Sequence, residues 1–282
     1  MNYQSIVFEG GGIRGISYIG ALKYLDEIDL IKNIKNFAGT SSGSQVAALL
    51  AIGYSISELE EIMKSLPVDE IKDSSCSYCF NFYNFFKSYG YYNGEFLLNY
   101  LEDLIYNKCK KKNFTFLNLW NTKGVHLKVT GTCLEKKNLQ IFDYLNTPNM
   151  SISKALQISS CIPFFFKPVM YNNYSYVDGG CLRNFPVNIF NEKEGKTIAI
   201  ELISENEFND EVIDSFKSYA LSIVNTIHSA VNKIDINSEI IQHIQINTGN
   251  VTAIDFDIDN NEKKNLINNG YNATKIAFNK LN

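Results

Sequence analysis

Two glycine-rich stretches near the start of the chain hold the residue types from which chemistry can be built. Gly39-Thr40-Ser41-Ser42-Gly43 has the form G-x-S-x-G. A serine set between glycines, where a strand passes into a helix, can occupy a sharp turn because its neighbours lack the side chains that would collide there. The helix that follows lends positive potential beneath the hydroxyl. Such a serine is placed to attack a carbonyl carbon. Gly10-Gly11-Gly12-Ile13-Arg14-Gly15 precedes it, also between a strand-like run and a helical one. Acyl transfer passes through an oxyanion, and backbone N–H groups from a glycine turn stabilise that charge by about 3 kcal/mol per donor. Gly10, Gly11 and Gly12 are candidates for that role, with Arg14 adding positive charge beside them.

The glycine cluster alone also fits the dinucleotide fingerprint G-x-G-x-x-G. That reading expects an acid at the end of the second strand, about 20 residues further on. The second strand ends instead in Ala38-Gly39-Thr40-Ser41. A P-loop requires Gly-Lys-Ser/Thr, which does not follow.

A serine nucleophile needs a proton acceptor. The three histidines are His126, His228 and His243. His126 and His243 fall in strand-like apolar runs and His228 in a helical one, which suits packing better than catalysis. Asp178 ends a strand and precedes Gly179-Gly180, so its carboxylate projects from a tight turn. In a dry site within reach of Ser41 it would accept the proton directly. Asp-Gly is equally a hairpin signal, and at this point the two readings stand level.

The elements that must position these residues follow from periodicity. Ser5 to Phe8 reads as a buried strand, and Ile16 to Leu30 as a helix with a wide apolar face. Ile34 to Ala38 is a short strand, Ser42 to Leu50 a helix, and Ile56 to Leu66 a helix capped by Ser55 or Ser57. Gly94 to Tyr106 is helical, Val125 to Thr132 and Leu139 to Phe142 alternate as strands, Ile152 to Ile158 is a helix and Tyr174 to Val177 a strand. Beyond Pro186 come strand Thr197 to Leu202, helix Val212 to Val231, strand Ile240 to Ile246 and a last helix carrying Leu266, Ala273, Ile276 and Ala277 on one face. Strands alternating with helices predict a layered α/β architecture around a largely parallel sheet. No repeat or linker interrupts it, so residues 1–282 read as one domain.

Composition narrows the function. The 282 residues are 45% hydrophobic with a net charge of −4, enough apolar content for a full core and no basic excess for nucleic acid. No apolar run approaches the roughly 18 to 20 residues of a membrane span, and no leader precedes the first strand. The expectation is a soluble, cytoplasmic chain. Of six cysteines only Cys76 and Cys79 have C-x-x-C spacing, and no second pair completes a zinc site. Tyr78 to Tyr92 is dominated by Phe and Tyr without regular period. It is read either as rings packed over the core or as a flap that meets a lipid interface transiently.

In order and spacing, Gly10 to Gly15, Gly39 to Gly43 and Asp178-Gly179-Gly180 resemble the patatin-like phospholipases. Ser159-Ser160-Cys161-Ile162-Pro163, with Phe166 and Pro168, looks like the family's segment ahead of its aspartate, and Asn184-Phe185-Pro186 like its Asn-x-Pro. The resemblance runs over residues 5–190, leaving 191–282 to complete the sheet. It implies a three-layer α/β/α fold and a Ser41–Asp178 dyad without histidine. It further implies an oxyanion hole from Gly10, Gly11, Gly12 and Arg14, an elbow flanked by Gly39 and Gly43, and supporting turns at Gly15, Gly179 and Gly180. No metal and no cofactor enter the chemistry it implies, and the substrate it implies is membrane phospholipid or another acyl lipid. Glu9 stands where many members have Asp, and Cys161 where a small Ala is frequent; neither change removes a catalytic atom. Two other functions are weighed against this one. The first is a serine esterase whose Ser–Asp–His triad uses His228 or His243; Ser41 lies too early in the chain for it. The second is a nucleotide-binding module, which lacks its ribose acid.

Overall fold

The computed structural model describes residues 3–72, 89–204, 213–231, 236, 241–255 and 258–279. Most of the aromatic run Tyr78 to Tyr92, and the Cys76/Cys79 pair, therefore lie outside the described residues. In chain order the elements are β1 (Tyr3–Phe8), a 3-10 turn (Gly12–Ile16), α1 (Ser17–Glu27), β2 (Asn36–Gly39), α2 (Ser41–Ile52), α3 (Ile56–Lys64), α4 (Val68–Ile71), β3 (Gly90–Tyr92), α5 (Glu95–Cys109) and α6 (Phe116–Lys123). Then follow β4 (His126–Cys133), β5 (Asn138–Phe142), α7 (Ile152–Ser159), β6 (Phe164–Phe166), β7 (Val169–Tyr171), β8 (Tyr174–Asp178), α8 (Gly180–Arg183), β9 (Lys196–Ile203), α9 (Phe216–Val231), β10 (Ile241–Asn247) and α10 (Asn260–Asn279).

The main sheet runs β10-β9-β1-β2-β4-β8-β7, with β5 also paired to β4. Neighbours from β10 through β4 are parallel, while β5 and β8 are antiparallel to β4 and β7 is antiparallel to β8. This is the largely parallel α/β sheet expected. Its strands read as near-continuous apolar runs because both faces are covered. One face presents Ile6, Phe8, Phe37, Ile198, Ile200, Ile244 and Ile246 to the main core, which also holds buried residues of α1, α2 and α10. The opposite face alternates with it and presents Val7, Ala38, Ala199 and Ile241 to Phe185, Val187 and Phe190. Small residues on that face let the segment after Asp178 lie close against the sheet.

Local chemistry sets the element ends. Ser55 caps α3 in a reciprocal box: its hydroxyl accepts from Glu58 N–H at 3.2 Å and its N–H donates to the Glu58 carboxylate at 2.8 Å. α1 stops at Glu27, short of Leu30, because Asp29 turns left-handed (φ 61°) and Leu30 N–H donates to the Leu25 carbonyl. Periodicity did not announce β3, β6, β7, α6 or α8; all but α6 are three or four residues long, too short to show a period. β3 and β6 form a separate parallel ribbon, Gly90 opposite Phe164 and Tyr92 opposite Phe166. Among the described residues no helix is long and apolar enough to cross a membrane.

α1 and α10 pack backbone to backbone. A Cβ on Gly20 would overlap the Ile267 carbonyl of α10, and one on Gly270 the Ser17 carbonyl of α1. Gly20→Val and Gly270→Val are each expected to destabilise the chain by about 1–3 kcal/mol. Urea midpoints equal to wild type in both would mean that the helices can separate freely.

Candidate active site

The site is assembled at the carboxyl ends of β1 and β2, where ligands of open α/β sheets bind. β2 ends at Gly39 and α2 begins at Ser41, leaving Thr40 to turn the chain. Ser41 itself adopts φ 51°, a left-handed conformation that costs about 1–3 kcal/mol in a residue with a side chain. Close approach enforces it. A Cβ on Gly39 would lie 2.5 Å from the Gly43 carbonyl carbon, and one on Gly43 would overlap the Glu9 carbonyl at the end of β1. The two elbow glycines are thus required by contact with each other and with β1. Ser41 N–H donates to Ser159 Oγ at 2.9 Å, which ties the elbow to the end of α7.

Asp178 reaches the same place through strand register. Gly39 of β2 pairs with Val129 of β4, and Asp178 of β8 pairs with Gly131, two residues further along that strand. The antiparallel direction of β8 brings its last residue level with the end of β2. The chain then forms no hairpin. Gly180 N–H donates to Asp178 Oδ1 at 2.7 Å, and α8 follows at once. Gly179 sits against Thr130, whose hydroxyl lies 2.7 Å from that of Thr40, and Thr40 Oγ1 donates to the Arg183 carbonyl at 3.0 Å. Serine elbow and aspartate turn are so joined through one pair of threonine hydroxyls.

Burial pushes the Asp178 carboxyl up to about 7, against the Gly180 N–H and, more weakly, the Ser41 hydroxyl, both of which favour the charged form. Ser41 and Asp178 are 8% and 5% exposed, so both are shielded from bulk water.

The first glycine turn is held from several sides. Gly10 N–H donates to the Asn184 carbonyl at 3.0 Å, Gly11 N–H to Ser42 Oγ at 3.2 Å and Ile13 N–H to the Ala253 carbonyl at 3.0 Å. Arg14 donates to the Gly11 carbonyl from its backbone N–H at 3.1 Å and from Nε at 3.4 Å. That grip orients the Gly11–Gly12 peptide plane, so the Gly12 N–H on its other edge points away from Arg14. Among the described residues Gly12 N–H has no hydrogen-bond partner. Of the four residues expected at an oxyanion hole, Gly12 keeps an unpaired N–H among the described residues, the N–H groups of Gly10 and Gly11 are taken, and Arg14 holds the Gly11 carbonyl. Gly15 lies in the 3-10 turn against Ser42.

Glu9 fastens this turn to both halves of the chain. Its carboxylate accepts from Asn184 Nδ2 at 3.0 Å and from Leu202 N–H at 2.7 Å, while Asn184 Nδ2 also donates to the Gly10 carbonyl at 2.9 Å. Burial lifts the Glu9 carboxyl to about 8, a rise that the Leu202 N–H opposes. Leu202 and Ala253 were not legible as site residues, since both act through backbone atoms. A pocket lined by Gly10, Gly11, Gly12, Arg14, Ser41 and Asp178 results, and among the described residues no histidine lines it. His243 Nε2 is instead 2.9 Å from Glu201, and His126 Nε2 3.1 Å from Asp143. The side chain of His228 lies outside the described residues. Among the described residues no cluster of three or more His, Cys, Asp or Glu could hold a metal ion.

Comparison with known proteins agrees with this arrangement. A family model for patatin-like phospholipase matches residues 6–191. Protein R571 of Acanthamoeba polyphaga mimivirus is 33% identical over 99% of this chain and 94% of its own length. The probable lipid hydrolase 463L of invertebrate iridescent virus 6 is 33% identical over 66% of this chain and 63% of its own. Among solved structures, VipD from Legionella pneumophila superposes with a TM-score of 0.74 at 19% identity, over 99% of this chain and 67% of that one. The type III effector ExoU gives 0.55 at 18% identity, over 99% and 53%. These two likenesses speak to the fold alone.

The buried carboxylate has a measurable consequence. An unfolded aspartate loses its proton near pH 4, at about 3.9; folded Asp178 keeps it to about 7. In between, the folded state binds more protons than the unfolded one, so stability falls as pH rises through that window. Asp178→Asn, which never ionises, should raise Tm at pH 8 by roughly 5 °C, with the gain vanishing below about pH 4. A gain that is the same at both ends of the range would show that the carboxylate is not charged against its burial.

Proposed function

The chain belongs to the patatin-like phospholipase family, and we propose that it is a lipid acyl hydrolase of the phospholipase A type, with Ser41 as nucleophile and Asp178 as its base. The observation that carries this is the pairing of a strained serine with a buried carboxylate whose affinity for protons is raised to about neutrality. An ordinary aspartate, with a pKa of about 3.9, is too weak a base to relieve a hydroxyl of its proton; one at about 7 is better matched to the task.

Ser41 Oγ attacks the ester carbonyl carbon while its proton passes to Asp178. The carbonyl oxygen becomes an oxyanion and is met by Gly12 N–H, with Gly11 N–H exchanging the Ser42 hydroxyl for it. Arg14 holds the Gly11 carbonyl and adds positive charge nearby. When the intermediate collapses, the proton on Asp178 goes to the departing alcohol and the acyl group remains on Ser41. Water, deprotonated by Asp178, then attacks that ester, and its collapse releases the fatty acid and restores the serine. No step calls for a metal or a cofactor. The substrate proposed is the carboxylic ester of a membrane lipid, approached from the cytoplasmic side by transient contact. Tyr89 and Tyr91, exposed at the end of the aromatic run, support such contact. No nucleic acid is involved.

The test is fatty-acid release from mixed phospholipid vesicles in the presence of chelator. Ser41→Ala and Asp178→Asn are expected to lower it by about 10³-fold or more, while His243→Ala and His228→Ala keep it. Wild-type rates from Ser41→Ala would remove the serine from the mechanism, and loss in a histidine variant would favour the triad esterase. With Asp178 as base, kcat/KM should rise with pH through a midpoint near 7, since only the ionised carboxylate accepts the proton. A midpoint near 4, or a flat profile, would assign the base elsewhere.

A further inference from the structure

Two cavities meet at Ser41, and their linings differ. One, of about 50 Å³, has a mixed wall beside the glycine turn, with Arg14, Asp178, Asn184 and Asn225 set among Pro163, Val224 and Ile254. The other, of about 70 Å³, is walled by Ile13, Ile16, Met63, Leu66, Leu97 and Phe166. Gly12, Ser41 and Ile162 belong to both. Nucleophile and free oxyanion donor therefore sit at the junction, and Ile162 forms part of the wall between.

That partition is rigid. Phe166 N–H donates to the Ile162 carbonyl at 3.0 Å across a tight turn in which Phe164 takes φ 70°. Phe166 is then paired to Tyr92 in the β3–β6 ribbon, and Lys167 N–H donates to the Tyr92 carbonyl at 3.0 Å. A non-glycine residue held in a left-handed conformation needs surrounding structure to impose it. Here the ribbon does so, and the product is a fixed wall at the serine.

We infer that the ester binds astride Ile162, with its acyl chain in the apolar cavity and its alcohol portion in the mixed one that holds the charged groups, and that Leu97 and Met63 set how much acyl chain is accepted. This assignment rests on the hydrolase reading above. Methylenes gain by leaving water for the apolar cavity. In the other cavity they would strip water from Arg14, Asp178 and Asn184 without replacing its hydrogen bonds. The other polar side chains in the apolar cavity are already engaged, since Gln45 Nε2 donates to Ser160 Oγ at 2.9 Å and Ser42 Oγ accepts from Gly11 N–H at 3.2 Å. Ile16 also walls this cavity but belongs to the turn that carries the oxyanion donors. Leu97 is buried on α5 and Met63 half-buried on α3, so either can change the cavity without changing that turn. At about 70 Å³ the cavity is smaller than the roughly 150 Å³ that holds a benzene. It receives the first few carbons of a chain, and each methylene added to its depth is felt.

The experiment separates the two ends of the substrate. Esters of one alcohol with butanoyl and octanoyl chains report the acyl side; butanoyl esters of a small and a large alcohol report the other. Leu97→Ala and Met63→Ala should each raise the octanoyl-to-butanoyl ratio of kcat/KM about fivefold and leave the alcohol ratio within about twofold. Asn225→Ala should do the reverse. Met63 is half-buried, so its variant keeps the test open if truncating Leu97 unfolds the core. Acyl ratios unchanged in both variants, or a shift in the alcohol ratio instead, would overturn the assignment while Ser41-dependent hydrolysis persisted. Hydrolysis indifferent to Ser41→Ala would fail the underlying reading instead.

Discussion

The first turn of α2 lies against the carboxyl end of β1 so closely that no side chain fits between them, and the rest of the site depends on that contact. Gly43 meets the Glu9 and Phe8 carbonyls, and Gly39 meets the Gly43 peptide. The chain between has no room to relax, so Ser41 is held left-handed at φ 51° with its hydroxyl at the crest of the sheet. The same contact sets the glycine turn after Glu9 beside the elbow, where Gly11 N–H reaches Ser42 Oγ. Strain at one residue is tolerated because α2 is buried over most of its surface, and the packing of Val46, Ala47, Ala48, Leu49 and Ile52 opposes any movement of its first turn.

Two buried carboxylates stand on either side of this contact and are bonded differently. Asp178 has one firm donor, Gly180 N–H, and faces the hydroxyl it would deprotonate. Glu9 has firm donors on both oxygens, from Asn184 and Leu202, and faces no reacting atom. A carboxylate satisfied on both oxygens fastens together the groups that donate to it; one with a single firm donor leaves an oxygen open to another partner. Both lie above the ordinary range because both are dry, yet only the under-satisfied one adjoins Ser41. Desolvation alone would not tell the two apart; the count of hydrogen bonds does.

Much of this could be read from residue order. The serine elbow needs glycines at two fixed positions, and that need shows directly as G-x-S-x-G. The parallel strands appear as apolar runs, and Ser55 announces the start of α3. Residue order offers Asp178 equally as a base and as a hairpin turn; what sets it beside the serine elbow is register, since Gly131 opposite Asp178 and Val129 opposite Gly39 lie on one strand. Pairing partners of this kind leave no trace in a single sequence. The contributions of Leu202 and Ala253 were hidden more completely. Each offers a main-chain group, which any residue carries, so no side-chain pattern marks them. The short strands β3, β6 and β7 escaped because three residues cannot show a period of two.

The hidden contributions also bear on how the chain divides. The family match ends at residue 191, before β9 begins. Yet β9 is an inner strand, pairing β1 on one side and β10 on the other. Without it β1 would be an edge strand, Glu9 would lose the Leu202 N–H, and a buried carboxylate would be left with one donor on one oxygen. The glycine turn would also lose the Ala253 carbonyl that receives Ile13 N–H and lies where any Gly12 side chain would be. Ser41 and Asp178 come from the matched region, but the glycine turn beside them is held in place by the last third of the chain. The serine elbow can be encoded locally; the glycine turn beside it takes this form only once β9 and the segment after β10 have closed over it.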